Sequence, residues 1–107
     1  MQILLHVKRG VAAGSIKDGH ELPSRRVLSS LLGVNPNTVQ KAYGILEDER
    51  LVLSRPGAKS CMFLDNEKIK RLRKELLEAD AKTMVSAMQQ MGVTKEQAIE
   101  LVERYWE

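Results

Sequence analysis

The chain has 107 residues, 43% of them hydrophobic, enough for one small domain with a short appendage and too few to enclose a large substrate cavity. Its formal net charge of +3 is unevenly placed. Residues 1–64 hold 9 Lys/Arg against 5 Asp/Glu (+4) and residues 65–107 hold 8 against 9 (−1), which points the first part toward a polyanion. Cys61 is the single cysteine, so an intrachain disulfide and a thiolate metal cluster are excluded, and His6 and His20 lack ligand-spaced companions. No apolar run approaches the roughly 20 residues of a membrane span and Met1 opens no signal peptide, so a cytoplasmic protein without membrane partners is expected.

In chain order, Ile3, Leu4, Val7, Val11 and Ala12 recur at helical spacing up to Gly14. Residues 15–21, with Asp18-Gly19, read as a turn. Ser24 after Pro23 is a good N-cap, and Val27, Leu28, Leu31 and Leu32 give the next short helix one apolar face, ended by Gly33. A third helix starts at once. Asn35 can cap it and Pro36 fits its first position, while Val39, Ala42, Tyr43 and Leu46 form a stripe for burial. Asn37, Thr38, Gln40 and Lys41 are left facing outward, a set of amides, a hydroxyl and an ammonium suited to a DNA major groove.

After Glu49 the period changes. Leu51–Leu53 and Cys61–Leu64 read as two short strands around the basic turn Arg55–Lys59, so a β-hairpin follows the third helix. Three helices and a hairpin describe a winged helix-turn-helix over residues 1–64. A long helix follows over residues 66–91, with Asp65 or Asn66 as its cap, about 39 Å at 1.5 Å per residue. Ile69, Leu72, Leu76, Ala79, Thr83 and Ala87 mark one of its stripes, and Leu77, Met84, Met88 and Met91 an adjoining one. Gly92 breaks the helix, and Thr94 with Gln97 makes a capping box for a last one bearing Ala98, Leu101, Val102 and Tyr105. Residues 65–107 thus form a helical tail whose apolar surface needs a second copy of the chain. The residues expected at that homodimer contact are Ile69, Leu72, Leu76, Leu77, Met84, Met88, Met91, Leu101, Val102 and Tyr105, and deletion of 65–107 is expected to give a monomer. The run Lys68, Lys70, Arg71, Arg73, Lys74 reads either as a solvated face or as a further phosphate contact.

The pattern G-x-I-x-x-G-x-x-LPS-x-R-x-L, then LGVNPNTVQKAY-x-x-LE-x-E-x-L, running from Gly14 to Leu51, resembles the winged-helix domain of the bacterial GntR family of transcription regulators. Asn35-Pro36-Asn37-Thr38-Val39 with Lys41-Ala42-Tyr43 resembles its YtrA-like branch, as does the short two-helix tail. The resemblance covers residues 1–64 and implies a homodimeric repressor, often of an operon holding ABC-transporter genes. It implies DNA contact by Arg26 at a phosphate or a guanine edge, by Asn35, Pro36, Asn37, Thr38, Gln40 and Lys41 at the start of the recognition helix, and by Gly57 at the wing tip. The chain departs from the pattern at four positions. Arg25 stands where an acidic or small residue is commoner, Arg50 replaces a glycine, and Lys59 and Cys61 take positions of glycine and phenylalanine. Arg25 adds a positive charge at the helix start and is a further candidate for DNA contact, the alternative being a solvated helix face, and Lys59 is placed to reach a minor-groove phosphate.

The expected function is therefore a sequence-specific transcription regulator on a double-stranded, pseudo-palindromic operator, with half-sites about one helical turn apart. The alternative is a winged-helix protein-interaction module without specific DNA binding. A small-molecule effector between the tail helices stays open. No nucleophile and base pair, phosphate loop or ligand cluster emerges, so neither an enzyme nor a cofactor is expected.

Overall fold

In a computed structural model, residues 2–54 and 59–107 are described, and they form five helices and one two-stranded sheet. In chain order these are α1 (Gln2–Ala13), α2 (Arg25–Leu32), α3 (Pro36–Asp48), β1 (Val52–Leu53), β2 (Cys61–Met62), α4 (Asn66–Gln90) and α5 (Lys95–Tyr105). The chain divides into two compact units, Met1–Arg73 and Lys74–Glu107. None of the described helices is long and apolar enough to cross a membrane.

The core of the first unit is built on α3. Val39, Ala42, Tyr43 and Leu46 are all buried, as their spacing of three and four requires for one helix face. Ile3, Val7 and Val11 of α1 join this core, as do Leu51, Val52, Met62 and Leu64 from the hairpin region. Lys8 reaches from α1 to Glu49 at the end of α3, with Nζ 2.9 Å from the carboxylate.

The strands are shorter than the apolar runs predict. Val52 pairs with Met62 and Leu53 with Cys61 in antiparallel register. At Leu51 the carbonyl still accepts from the Phe63 N–H at 2.8 Å but the N–H donates to the Leu46 carbonyl in the cap of α3, and the Leu64 N–H is taken by the Asp18 carboxylate at 2.8 Å. The segment before α2, read as a plain turn, lies along the other edge of β2. Glu21 bridges Cys61, and Leu22 and Met62 donate to Ser60 and His20 carbonyls at 2.9 Å. A third backbone segment thus covers what would otherwise be an open edge.

The apolar face expected on α2 is present in the sequence but is not closed over. Val27, Leu31 and Leu32 are 49%, 74% and 51% exposed, and the residue that α2 buries is Ser29, whose hydroxyl donates to the Arg26 carbonyl. Packing α2 on α3 through a small residue brings the backbones close. Leu28, Leu32 and Val34 then line an open groove of about 620 Å³ with Ile3, Val7 and Leu22 instead of a sealed core.

Helix ends explain the departure at Arg50. α2 ends on Gly33 at φ 65°, with the Val34 N–H returned to the Ser29 carbonyl. α3 ends in the same motif, the Arg50 and Leu51 N–H groups bonding the Glu47 and Leu46 carbonyls, but its left-handed residue is Arg50 itself at φ 60°. A side chain there costs on the order of 1–2 kcal/mol. Arg50→Gly is therefore expected to stabilise the chain by about 1 kcal/mol, raising Tm by about 4–8 °C in a thermal melt.

Compact packing continues past residue 64 as far as Arg73. Asp65, not Asn66, caps α4, accepting from the Lys68 N–H at 2.7 Å. Leu72, expected at a contact between copies, is buried within the first unit, and Ile69 is half-buried there. The Lys68 ammonium donates to the Arg50 and Phe63 carbonyls at 2.8 and 3.0 Å and sits 4.0 Å above the Phe63 ring. Arg73 donates to the Ala12 carbonyl at the end of α1. Two members of the basic run are thus spent on backbone carbonyls, those of Ala12 and Arg50 lying at or just beyond helix C-termini, where a cation is favoured.

In the second unit the end of α4 and all of α5 are joined through Gly92, and Thr94 and Gln97 form the reciprocal capping box that their spacing predicts. Neither segment contains a buried residue, since Leu72, the one that α4 has, belongs to the first unit. Leu77, Met84, Met91, Val102 and Tyr105 are exposed, and Leu76, Met88 and Leu101 are half-buried. Val85, Ile99 and Trp106 add exposed apolar surface that the sequence reading did not single out.

Candidate nucleic-acid interface

The two helix starts singled out in the sequence are capped as expected. The Ser24 hydroxyl accepts from the Val27 N–H at 3.2 Å, and the Asn35 side chain accepts from the Asn37 N–H at 2.8 Å, with Pro36 in the first turn. Neither α2 nor α3 has an acidic residue in its first turn. The positive end of each helix dipole is therefore left uncompensated, which favours an approaching phosphate.

The candidate contacts then sort by what their side chains touch. Asn37, Gln40 and Lys41 are exposed, and no ion pair or side-chain hydrogen bond engages them among the described residues. Thr38 is half-buried beside them and Pro36 is exposed. The Asn35 amide oxygen is committed to its cap. Arg26 is exposed and its guanidinium has no partner among the described residues. Gly57 lies outside the described residues. Lys59 is exposed and stands 3.9 Å from the Glu21 carboxylate, both side chains 68% accessible, a pairing that a phosphate can displace because exposed ion pairs are weak.

Arg25 is held differently. Its guanidinium lies 3.5 Å from Glu47 and 5.8 Å from the centroid of the Tyr43 ring. Glu47 also accepts from the Ser54 hydroxyl at 2.6 Å, and Ser54 shares a 2.8 Å hydrogen bond with Ser60. This chain of contacts joins the start of α2, the last turn of α3 and the base of the hairpin. Arg25 thereby braces the interface, and Glu47, Ser54 and Ser60 belong to its support although nothing local in the sequence marks them.

Tyr43 completes the brace. It is 2% exposed, and its hydroxyl donates to the Pro23 carbonyl at 2.7 Å, two residues ahead of Arg25. Burial pushes the Tyr43 hydroxyl above its ordinary pKa, opposed by the nearby Arg25 charge. It is a core residue that fixes the entry to α2, and it is not available to stack on a base.

The arrangement can bind a phosphate backbone at two helix starts and read base edges from one of them; among the described residues it holds no group placed for covalent chemistry. Comparison with known proteins agrees. Residues 1–59 match the model of the bacterial regulatory proteins of the gntR family. The HTH-type transcriptional regulator YhcF of Bacillus subtilis (strain 168) is 30% identical over 89 residues, covering 83% of this chain and 74% of YhcF. The HTH-type transcriptional repressor YtrA of the same organism is 43% identical over 51 residues, 48% of this chain and 39% of YtrA, so the likeness spans well under half of that relative. A GntR family transcriptional regulator from Listeria monocytogenes superposes with a TM-score of 0.85 at 28% identity, covering 96% of this chain and 90% of that one. The chain therefore belongs to the GntR family, with YtrA-like relatives, and is a transcription regulator with a DNA-binding winged helix-turn-helix, not an enzyme.

Proposed function

We propose that this regulator is a homodimeric, cytoplasmic repressor that binds a pseudo-palindromic operator, one subunit to each half-site. α3 enters the major groove through Asn37, Thr38, Gln40 and Lys41, Arg26 contacts phosphate or a guanine edge, and Lys59 contacts the backbone near the minor groove. The observation that carries the reading is the set of unengaged polar side chains at the starts of α2 and α3, next to Asn35, Tyr43 and Arg25, whose side chains are engaged within the fold. The relative YtrA is a transcriptional repressor, which supports the direction of regulation. A tail without buried residues of its own supports a symmetric pair, and two-fold symmetry places half-sites about 34 Å apart.

Fluorescence anisotropy with an operator fragment tests it. Arg26→Ala is expected to weaken binding by about 1–3 kcal/mol with relaxed discrimination at one base pair if the side chain reads a base, or to lower the salt slope by about one if it binds phosphate. Unchanged affinity and unchanged salt slope overturn the role of Arg26. The exposed Val27, Leu31 and Leu32 favour a second reading, in which α2 docks a protein and DNA binding is unspecific. Equal affinity for the palindrome and for random DNA near 0.15 M salt selects that reading.

A further inference from the structure

Within the second unit, the end of α4 and α5 border an apolar groove of about 660 Å³, lined by Met84, Val85 and Met88 on one side and by Ile99 and Val102 on the other. Two charged residues of α5, Lys95 and Glu103, also line it. Lys95, Ile99 and Glu103 are spaced by four, so they form one row along the helix, apolar in the middle and oppositely charged at ends about 12 Å apart. Both charges oppose the dipole of their own helix. Lys95 is the first residue of α5, where a negative charge is favoured, and Glu103 is in the last turn, where a positive one is. Glu96 and Arg104, one residue further along and outside the groove lining, follow the dipole, and Arg104 is paired with Glu100 at 3.4 Å. Lys95 and Glu103 have no ion-pair partner among the described residues.

We propose that this groove receives α5 of a second copy of the chain, antiparallel and centred on Ile99, so that Lys95 meets the partner's Glu103 and Glu103 meets the partner's Lys95. Only an antiparallel pairing makes the row self-complementary, since a parallel one sets like charges against each other. The same orientation brings Lys95 to the negative end of the partner helix and Glu103 to its positive end, so charges that are unfavourable within one helix become favourable across two. Ala98, a small residue on the groove wall, permits the close approach. The inference rests on the homodimer reading and adds its orientation and register.

Sedimentation equilibrium of the full chain tests it. By symmetry Lys95→Glu alone, or Glu103→Lys alone, turns two attractive pairs into two repulsive ones, and each is expected to raise the dimer dissociation constant about tenfold at low salt, with the difference shrinking in about 1 M salt. Lys95→Glu also improves the match of charge to dipole within its own helix, so a role confined to helix stability moves circular dichroism the other way. Mixing the two single variants in equal amounts is expected to restore a one-to-one heterodimer, which also shows that each variant folds. The double variant returns to within about threefold of the original constant. A dimeric parent whose single variants dissociate no more readily, or whose mixture recovers nothing, overturns the register. A parent that stays monomeric overturns the homodimer reading itself.

Discussion

Deletion of residues 74–107 yields a folded monomer that binds a palindromic operator at least about 100-fold more weakly than the full chain, because the second half-site is no longer held at high effective concentration. The position of the cut matters. Removing everything after residue 64 also strips Leu72 from the core, the Lys68 bonds to Arg50 and Phe63, and the Arg73 bond to Ala12, so weak binding by that fragment reports unfolding as readily as loss of pairing. Cutting after Arg73 leaves the first compact unit whole. The measurement is light scattering for mass, circular dichroism for fold and anisotropy for affinity on the same preparation. A dimer after truncation, or undiminished operator binding by a monomer, sinks the assignment of pairing to the tail. The reason to expect the effect is physical: the part of α4 beyond Arg73 and α5 have no buried residue in one chain and gain little stability from their own packing, so their Met84, Val85, Ile99 and Val102 side chains need cover from elsewhere.

Tyr43→Ala lowers stability by about 3–5 kcal/mol, a large part of the 5–15 kcal/mol typical of a whole domain. The ring is among the largest fully buried side chains, with Leu46, Met62, Val11 and Val39, so truncation removes buried volume from the core and leaves the Pro23 carbonyl without its donor. Tyr43→Phe separates the two effects, keeping the packing and costing about 1 kcal/mol for the hydrogen bond. The pH dependence has a definite sign. Burial raises the folded-state pKa of this hydroxyl, so the stability tied to its protonated form is complete below its unfolded value of about 10 and is lost as pH rises above that. Urea melts at neutral and alkaline pH therefore show a steeper fall for the parent than for Tyr43→Phe, and identical slopes remove Tyr43 as the titrating group. Because Pro23 precedes the Ser24 cap, Tyr43→Phe also loosens the start of α2, with a small loss of operator affinity expected through Arg26.

Local chemistry determined much of this protein from its sequence. Ser24, Asn35 and Thr94 cap helices because a hydroxyl or amide oxygen reaches a free N–H two or three residues on, and the α3 stripe is buried because its period is helical. The winged-helix class, the two capped helix starts and the Gly92 break were legible for the same reason, since each signal acts within about four residues. Tertiary structure decided what those signals do not encode. Arg25 and Arg26 are neighbours with the same side chain, yet Arg25 is drawn to Glu47 and Tyr43 while Arg26 has no partner among the described residues, a distinction created by residues some twenty positions away. The spacing on α2 tells which residues share a face but not what covers them, and contact through Ser29 leaves Val27, Leu31 and Leu32 outside. Lys68 and Arg73 follow the same rule. Their charge was visible at once, but only the fold brings the carbonyls of Arg50, Phe63 and Ala12 within reach and carries the first compact unit on to Arg73.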